Sequence, residues 1–210
     1  MDEIQEISAL HLNRISIYLR CLNRLQEEDV KRVSYKVLAD RFHLSAPLIR
    51  KDLAHFGEFG IRGHGYDVEQ LIGRLKSLLG LDRKQPIVVV GMGKLGSALV
   101  GHLERDPGSF RVVAGLDSDR LKIGSTAGNL TIRSIGDIGK VVDETGAQIA
   151  LLTVPREAAQ ATFDIVIDAV IRSVLNFAPI RLEDHPTVNV RNVDLRIYLE
   201  ELAFRNHSKR

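Results

Sequence analysis

Gly91, Gly93 and Gly96 stand in the pattern G-x-G-x-x-G directly after the apolar run "PIVVV". An acid, Asp117, follows 21 residues after Gly96, at the end of a second apolar run. That combination suits a dinucleotide. The first glycine allows a tight turn, the second lets backbone approach a pyrophosphate, and the third lets helix and strand pack closely. A helix starting there presents N–H groups and a partial positive charge to phosphate. Met92, Lys94 and Leu95 share the turn and are expected to line the same site. Asp117 is expected to accept hydrogen bonds from the adenosine ribose and to repel a 2′-phosphate, with Asp119 adding to the repulsion. NAD(H) is therefore favoured over NADP(H), although Arg120 leaves the phosphorylated form open. The bland alternative is a glycine turn that packs a sheet and binds nothing.

Two further stretches carry ligand chemistry by position. Thr153, Val154 and Pro155 in "LLTVPREAAQ" end one strand-like run, and Asn176, Ala178 and Pro179 in "LNFAPI" end another. Ligands of open α/β sheets sit at the carboxyl ends of strands, so both stretches join the expected cofactor site. Each reads equally well as a strand stopped by proline.

Elements must position these groups. Beyond Pro86, the short β-branched runs "IVVV", "RVVAGL", "LTIR", "IALLTV" and "SVLNF" alternate with helical patterns at 94–103, 137–144, 156–170 and 193–205. Strands alternating with helices predict a parallel sheet covered on both faces. The last helix carries an apolar stripe of Leu195, Leu199, Leu202 and Ala203.

The first eighty residues follow a different rhythm. Residues 8–26 place Leu12, Ile15, Leu19, Leu22 and Leu25 at helical spacing. Ser34 can cap "YKVLADRF", and Ser45 can cap a third helix that tolerates Pro47 in its first turn. On that helix Ile49, Leu53 and Phe56 share one face, Ala46, Arg50 and Lys51 fall towards the other, and Gly57 ends it. "EFGIRGHGY" reads as a hairpin, and Asp67 caps a fourth helix with Leu71, Leu75 and Leu78 inward, ending at Gly80. Helix, helix–turn–helix, hairpin and helix is the order of a winged helix. The expected layout is a winged helix over 1–80, a linker Leu81–Gln85, a nucleotide-binding sheet over 86–192 and a terminal helix over 193–210.

The chain has 210 residues and a formal net charge of +2. From His11 to Tyr66 ten Lys/Arg face six Asp/Glu, whereas from Pro86 to Arg210 fifteen face fifteen. The basic excess permits a polyanion partner for the first part without proving one. No apolar run approaches the roughly 20 residues of a membrane span. The acidic start lacks a secretory layout, and the single Cys21 reads as a buried structural thiol, so a reducing, cytoplasmic setting is expected. Neither His102, His185 nor His207 pairs recognisably with a carboxylate, and no nucleophile elbow, metal-ligand spacing or Walker lysine is present. The chain is equipped to bind a nucleotide, with no machinery to transform one and no metal.

The segments "RKDLAHFGEFGIRGHGY", "VVGMGKLGSAL", "LLTVPREAAQ", "LNFAP" and "VRNVDL", in this order, resemble the Rex family of redox-sensing transcriptional repressors over nearly the whole chain. The resemblance implies an N-terminal winged helix, a C-terminal Rossmann domain and a homodimer that exchanges its last helix. It implies binding to an inverted-repeat DNA operator and release by NADH. Arg50 and Lys51, with Ser45, Ala46 and Pro47 in the same first turns, then look like a major-groove reading helix, and Arg62 like part of a wing. A solvated charged face is the alternative for Arg50 and Lys51. Asp194 matches an acid thought to act across the dimer. The chain departs from its relatives at Lys94, where arginine is usual, at His102, where tyrosine is usual, and at Leu195, where an aromatic is frequent. A small NAD-dependent oxidoreductase and a CoA- or nucleotide-binding module are the alternative readings.

Overall fold

The computed structural model describes residues 8–55, 60–61, 65–105 and 108–207. It divides into two compact units, Met1–Arg83 and Lys84–Arg210. Each has its own apolar core.

In the first unit, helix α1 (Ala9–Glu27) begins where the Ser8 hydroxyl accepts the His11 N–H. Ile15, Leu19, Leu22 and Leu25 are buried as the spacing requires. Leu12, expected on the same stripe, is exposed, while Tyr18 and Cys21 are buried. Burial pushes the Cys21 thiol up, which suits a packed, unreactive sulfur. Strand β1 (Arg32–Val33) leads into α2 (Tyr35–Phe42), capped by Ser34 at its start and ended by His43 in a left-handed conformation. Helix α3 (Ala46–His55) opens with the Ile49 N–H on the Ser45 carbonyl. Strands β2 (Gly60–Ile61) and β3 (Gly65–Asp67) pair antiparallel, and β1 joins on the other side of β3. Asp67 accepts the Gln70 N–H and caps α4 (Val68–Leu78). Buried Leu38, Ile49, Leu53, Leu71 and Leu75 tie α2, α3 and α4 to α1. A helix–turn–helix with a three-stranded sheet is a winged helix. Phe56 and Gly57, read from the sequence as the third core residue and the stop of α3, lie outside the described residues, as does the hairpin tip with Arg62.

The second unit holds a seven-stranded sheet in the order β10-β9-β8-β4-β5-β7-β6. Its strands are β4 (Gln85–Val90), β5 (Phe110–Asp117), β6 (Thr126–Ala127), β7 (Leu130–Ser134), β8 (Ile149–Leu152), β9 (Ser173–Asn176) and β10 (Asn189–Asn192). All neighbours run parallel except β6, which turns back on β7. The helices are α5 (Lys94–Arg105), α6 (Ile138–Thr145), α7 (Ala159–Asp168) and α8 (Leu195–His207). Ile138, Val141, Phe163 and Val166 carry α6 and α7 onto one face, against Val88, Val90, Leu116, Leu152 and Val174. Val100 carries α5 onto the other, against Ile87, Val89, Val112 and Leu151. This alternation along β4 is what a sheet buried on both faces demands, and a shift of register opposite Ile87 and Val88 puts Val112 of β5 on the α5 face and Leu116 on the other.

Several readings shift at element ends. Gln85, expected in the linker, pairs with Phe110 as the first residue of β4. A strand's first residue needs only its backbone, so a polar side chain gave no sign. Thr153 and Val154 fall just beyond β8, and the helix expected from 156 starts as a 3-10 turn over Arg156–Ala158. The terminal helix runs two residues later than 193–205 because Asp194 accepts the Arg196 N–H in its first turn. The edge strand β10 has no apolar pattern, and its sequence "NVRN" hid it.

Candidate functional sites

The chain order reverses between β4 and β8. β5 and β7 extend one side of β4, and the later strands extend the other. The carboxyl ends at such a reversal splay apart and leave a crevice for ligand. Gly91 ends β4 at φ +94°, and a Cβ there would lie 2.7 Å from a Val154 methyl. A Cβ on Gly96 would lie 2.2 Å from the Gly91 carbonyl oxygen and 2.8 Å from the Thr153 hydroxyl. Gly96 is therefore fixed by helix–strand packing. Gly93 has nothing within 4 Å of a built Cβ, so internal packing does not explain its glycine. In dinucleotide turns the glycine at this place serves close approach of the pyrophosphate.

The turn leads straight into α5. The Ser97 N–H is the first to reach back, to the Gly93 carbonyl at 3.0 Å. The N–H groups of Lys94, Leu95 and Gly96 precede it and have no acceptor inside the helix. Lys94 and Leu95 are exposed beside them, and Met92 is buried. Thr153 holds the turn from the neighbouring strand. Its hydroxyl donates to the Gly91 carbonyl at 2.7 Å, with the Val90 carbonyl at 3.1 Å.

Asp117 closes β5 and is only 6% exposed. Its carboxylate accepts the Met92 N–H at 2.7 Å, the Asp119 N–H at 2.8 Å and the Lys122 ammonium at 2.9 Å. Burial pushes this carboxyl up, but the Asp119 N–H, Lys122 and the Met92 N–H outweigh it and hold the group below the ordinary range. A carboxylate has about four acceptor positions. Three are filled, which leaves roughly one open. Asp119, more exposed, lies 3.9 Å from the same ammonium. Lys122 was not among the residues singled out in the sequence, since a lysine in a polar loop carries no signal.

Asn176 and Ala178 are buried, and Pro179 is exposed. The Asn176 amide is bonded within the protein, to Ala178, Ile180 and Asn192. Val154 is half-buried and Pro155 exposed. Asp194 accepts both the Nε and Nη2 of Arg196, at 3.0 and 2.7 Å, and that guanidinium holds its carboxyl down to about 2.

In the first unit, α3 buries Ile49, Asp52 and Leu53 and leaves Arg50 and Lys51 exposed. Ser45 and Pro47 at its start are exposed and Ala46 is half-buried. Asp52 is 2% exposed and explains the helix's setting. It accepts Arg14 through two bonds of 2.5 and 2.8 Å and the Tyr18 hydroxyl at 2.9 Å, with His11 Nε2 at 3.2 Å. Burial pushes the Asp52 carboxyl up, and Arg14 and Tyr18 more than reverse it, so it stays below the ordinary range. Burial, then the bond to Asp52, pushes the Tyr18 phenol up to about 12. This cluster pins α3 to α1 with Arg50 and Lys51 outward. Sequence reading missed it because its members lie 34 and 38 residues apart.

Among the described residues, no group of three or more His, Cys, Asp or Glu is placed to hold a metal, and no helix is long and apolar enough to cross a membrane.

Known proteins share both halves of this arrangement. Residues 82–180 match the family described as "CoA binding domain", and residues 6–54 match "Putative DNA-binding protein N-terminus". A "Redox-sensing transcriptional repressor Rex" of Desulforamulus reducens is 42% identical over 199 residues, 95% of each chain. The structure of RSP in complex with beta-NAD+ and operator DNA superimposes with a TM-score of 0.90 at 29% identity, over 98% of this chain and 94% of that one. RSP with beta-NADH gives 0.84 at 28% identity, over 98% and 96%. A winged helix and a dinucleotide crevice in one chain, matched end to end at this identity, place the protein in the Rex family of redox-sensing transcriptional repressors.

Proposed function

We infer that the chain is a redox-sensing repressor that binds an inverted-repeat operator as a homodimer and leaves it when NADH occupies the Rossmann unit. One observation carries the reading: a helix with an outward cationic face and a glycine turn shaped for a dinucleotide occur in a single chain that aligns with a Rex repressor over 95% of its length. The relative RSP has been solved with NAD+ and operator DNA together, and with NADH.

In this reading Arg50 and Lys51 meet base edges in the major groove, and Ser45, Ala46 and Pro47 bring the start of α3 to the backbone. Arg62 belongs to the same interface. The N–H groups of Met92 to Gly96 hold the pyrophosphate, and Asp117 and Asp119 meet the ribose. Thr153–Pro155 and Asn176–Pro179 form the nicotinamide side. Asp194 at the start of α8 exchanges its local partner Arg196 for groups across the dimer. The protein binds its nucleotide without turning it over and works in the cytoplasm, where operator and NADH meet.

The dimer rests on α8. Leu195, Ile197, Tyr198, Leu199, Leu202 and Phe204 are each more than half exposed in the single chain. Burying six such side chains contributes on the order of 10 kcal/mol, enough to hold a partner subunit.

The "CoA binding domain" match supports one second reading, CoA in the same crevice, because CoA and NAD share an adenosine diphosphate. Asp117 and Asp119 disfavour it, since CoA carries an extra phosphate on that ribose. A gel-shift on an inverted repeat, with NADH or CoA added, tests both. Release by NADH alone supports the sensor; release by CoA alone reverses the assignment.

A further inference from the structure

The carboxyl ends of four adjacent strands are tied in series, from the glycine turn to the base of α8. Thr153 donates to the Gly91 carbonyl at 2.7 Å. The next residue line is crossed by the Phe177 N–H, which donates to the Leu152 carbonyl at 2.8 Å. Asn176 then joins β10: its side-chain amide donates to Asn192 Oδ1 at 2.9 Å, and its carbonyl accepts the Val193 N–H at 2.8 Å. Two residues later α8 begins.

Backbone bonds of this kind belong to any parallel sheet. The Asn176 side chain does not. It is fully buried, and its Oδ1 accepts the Ala178 N–H at 2.9 Å. Its Nδ2 faces three acceptors: Ile180 O at 2.8 Å, Asn192 Oδ1 at 2.9 Å and Ala178 O at 3.4 Å. An amide nitrogen has two hydrogens. Three acceptors thus compete for two donors, and two of them belong to the loop 177–180. Any shift of that loop which draws in the Ala178 carbonyl must come at the expense of another acceptor. Asn192 is the one that leads out of the loop and towards α8.

We propose that Asn176 and Asn192 are positioning residues that transmit the state of the nicotinamide-side loop to the dimer helix, so that the hydrogen bond between them is a switchable element of the redox response. The proposal rests on the reading above, in which that loop meets the nicotinamide and α8 forms the dimer. Ligand-driven redistribution between two bonding patterns is the physical requirement for coupling, and proximity alone does not meet it.

The test uses the full chain and its Asn192→Ala and Asn192→Asp variants. Asn192 is exposed on an edge strand, so both are compatible with the fold. NADH binding is read by calorimetry, and operator binding by fluorescence anisotropy with and without NADH. Asn192→Ala is expected to keep NADH affinity and nucleotide-free operator affinity within about threefold of the parent, while the NADH-driven loss of operator affinity shrinks from at least about tenfold to under about threefold. Asn192→Asp keeps the acceptor oxygen and should keep the full response. An Asn192→Ala protein that still responds tenfold overturns the proposal, as does one in which either binding step is itself weakened more than threefold. If the parent protein shows no NADH response, the sensor reading fails first; a responsive parent with a responsive Asn192→Ala variant sinks only this proposal.

Discussion

Among the glycines of the turn, two do different work, and substitution separates them. A methyl group on Gly96 collides with the Gly91 carbonyl and the Thr153 hydroxyl, whereas one on Gly93 meets nothing of the protein. Gly96→Ala should lower thermal stability and weaken NADH binding together. Gly93→Ala should leave the melting temperature in place and weaken NADH by about tenfold or more, because only the ligand needs that space. Differential scanning fluorimetry and calorimetry on both variants check this; an unchanged NADH affinity in Gly93→Ala contradicts the site. On the DNA side, Arg50→Ala should cost about 1–3 kcal/mol of operator binding with NADH affinity unchanged. Wild-type operator affinity in the folded variant removes Arg50 from the interface. At this scale the sequence was readable where a residue type has one strong use. Gly91 with its positive φ and Gly96 with its close contact are such residues. Asp117 was readable as the acid that ends the second strand, but not its three internal partners, because Lys122 gains meaning only when the loop brings it back to β5.

Helix α3 is set by Asp52, and that gives its stability a pH signature. The Asp52 carboxyl lies below its ordinary 3.8 in the folded protein. A depressed carboxyl adds stability that is complete above the unfolded value, about 4, and is lost as pH falls through the lower folded value. Urea unfolding should show stability declining below about pH 4, and Asp52→Asn should flatten that decline while costing about 3 kcal/mol at neutral pH. A variant with the parent's acid limb assigns the decline to other carboxylates. Helix α8 makes the opposite kind of element: Leu195, Ile197, Tyr198, Leu199 and Leu202 are each more than half exposed in the single chain. Deleting residues 192–210 should give monomers or insoluble protein by sedimentation; a soluble dimer contradicts the assignment of the dimer to α8. Helices with a strong apolar stripe, such as α4, were legible in sequence. The strands β1 and β10 were not, since the first has two residues and the second is a polar sheet edge.

The whole molecule must make two binding events exclude each other. A two-fold dimer presents its reading helices about 34–36 Å apart, or a multiple, to meet successive major grooves. NADH and NAD+ differ at the nicotinamide and not in the pyrophosphate that the glycine turn is proposed to hold. In the proposed site, discrimination therefore belongs to the far side of the crevice, at Thr153–Pro155 and Asn176–Pro179. A ligand shifts the dimer between its DNA-binding and DNA-free arrangements only by its difference in affinity for the two. The order of domains was plain in the sequence, because helical spacing gives way to β-branched runs near Pro86. The side-chain bond between Asn176 and Asn192 was not, since it joins strand ends 16 residues apart. The most direct test is operator titration by fluorescence anisotropy at one fixed salt concentration, because phosphate contacts make any affinity salt-dependent. Saturating NADH should lower operator affinity at least about tenfold, or about 1.4 kcal/mol of coupling, and NAD+ alone should change it little while competing with NADH. Equal operator affinity with NADH, with NAD+ and with no nucleotide would contradict the redox-sensor account, even if the protein binds both DNA and NADH.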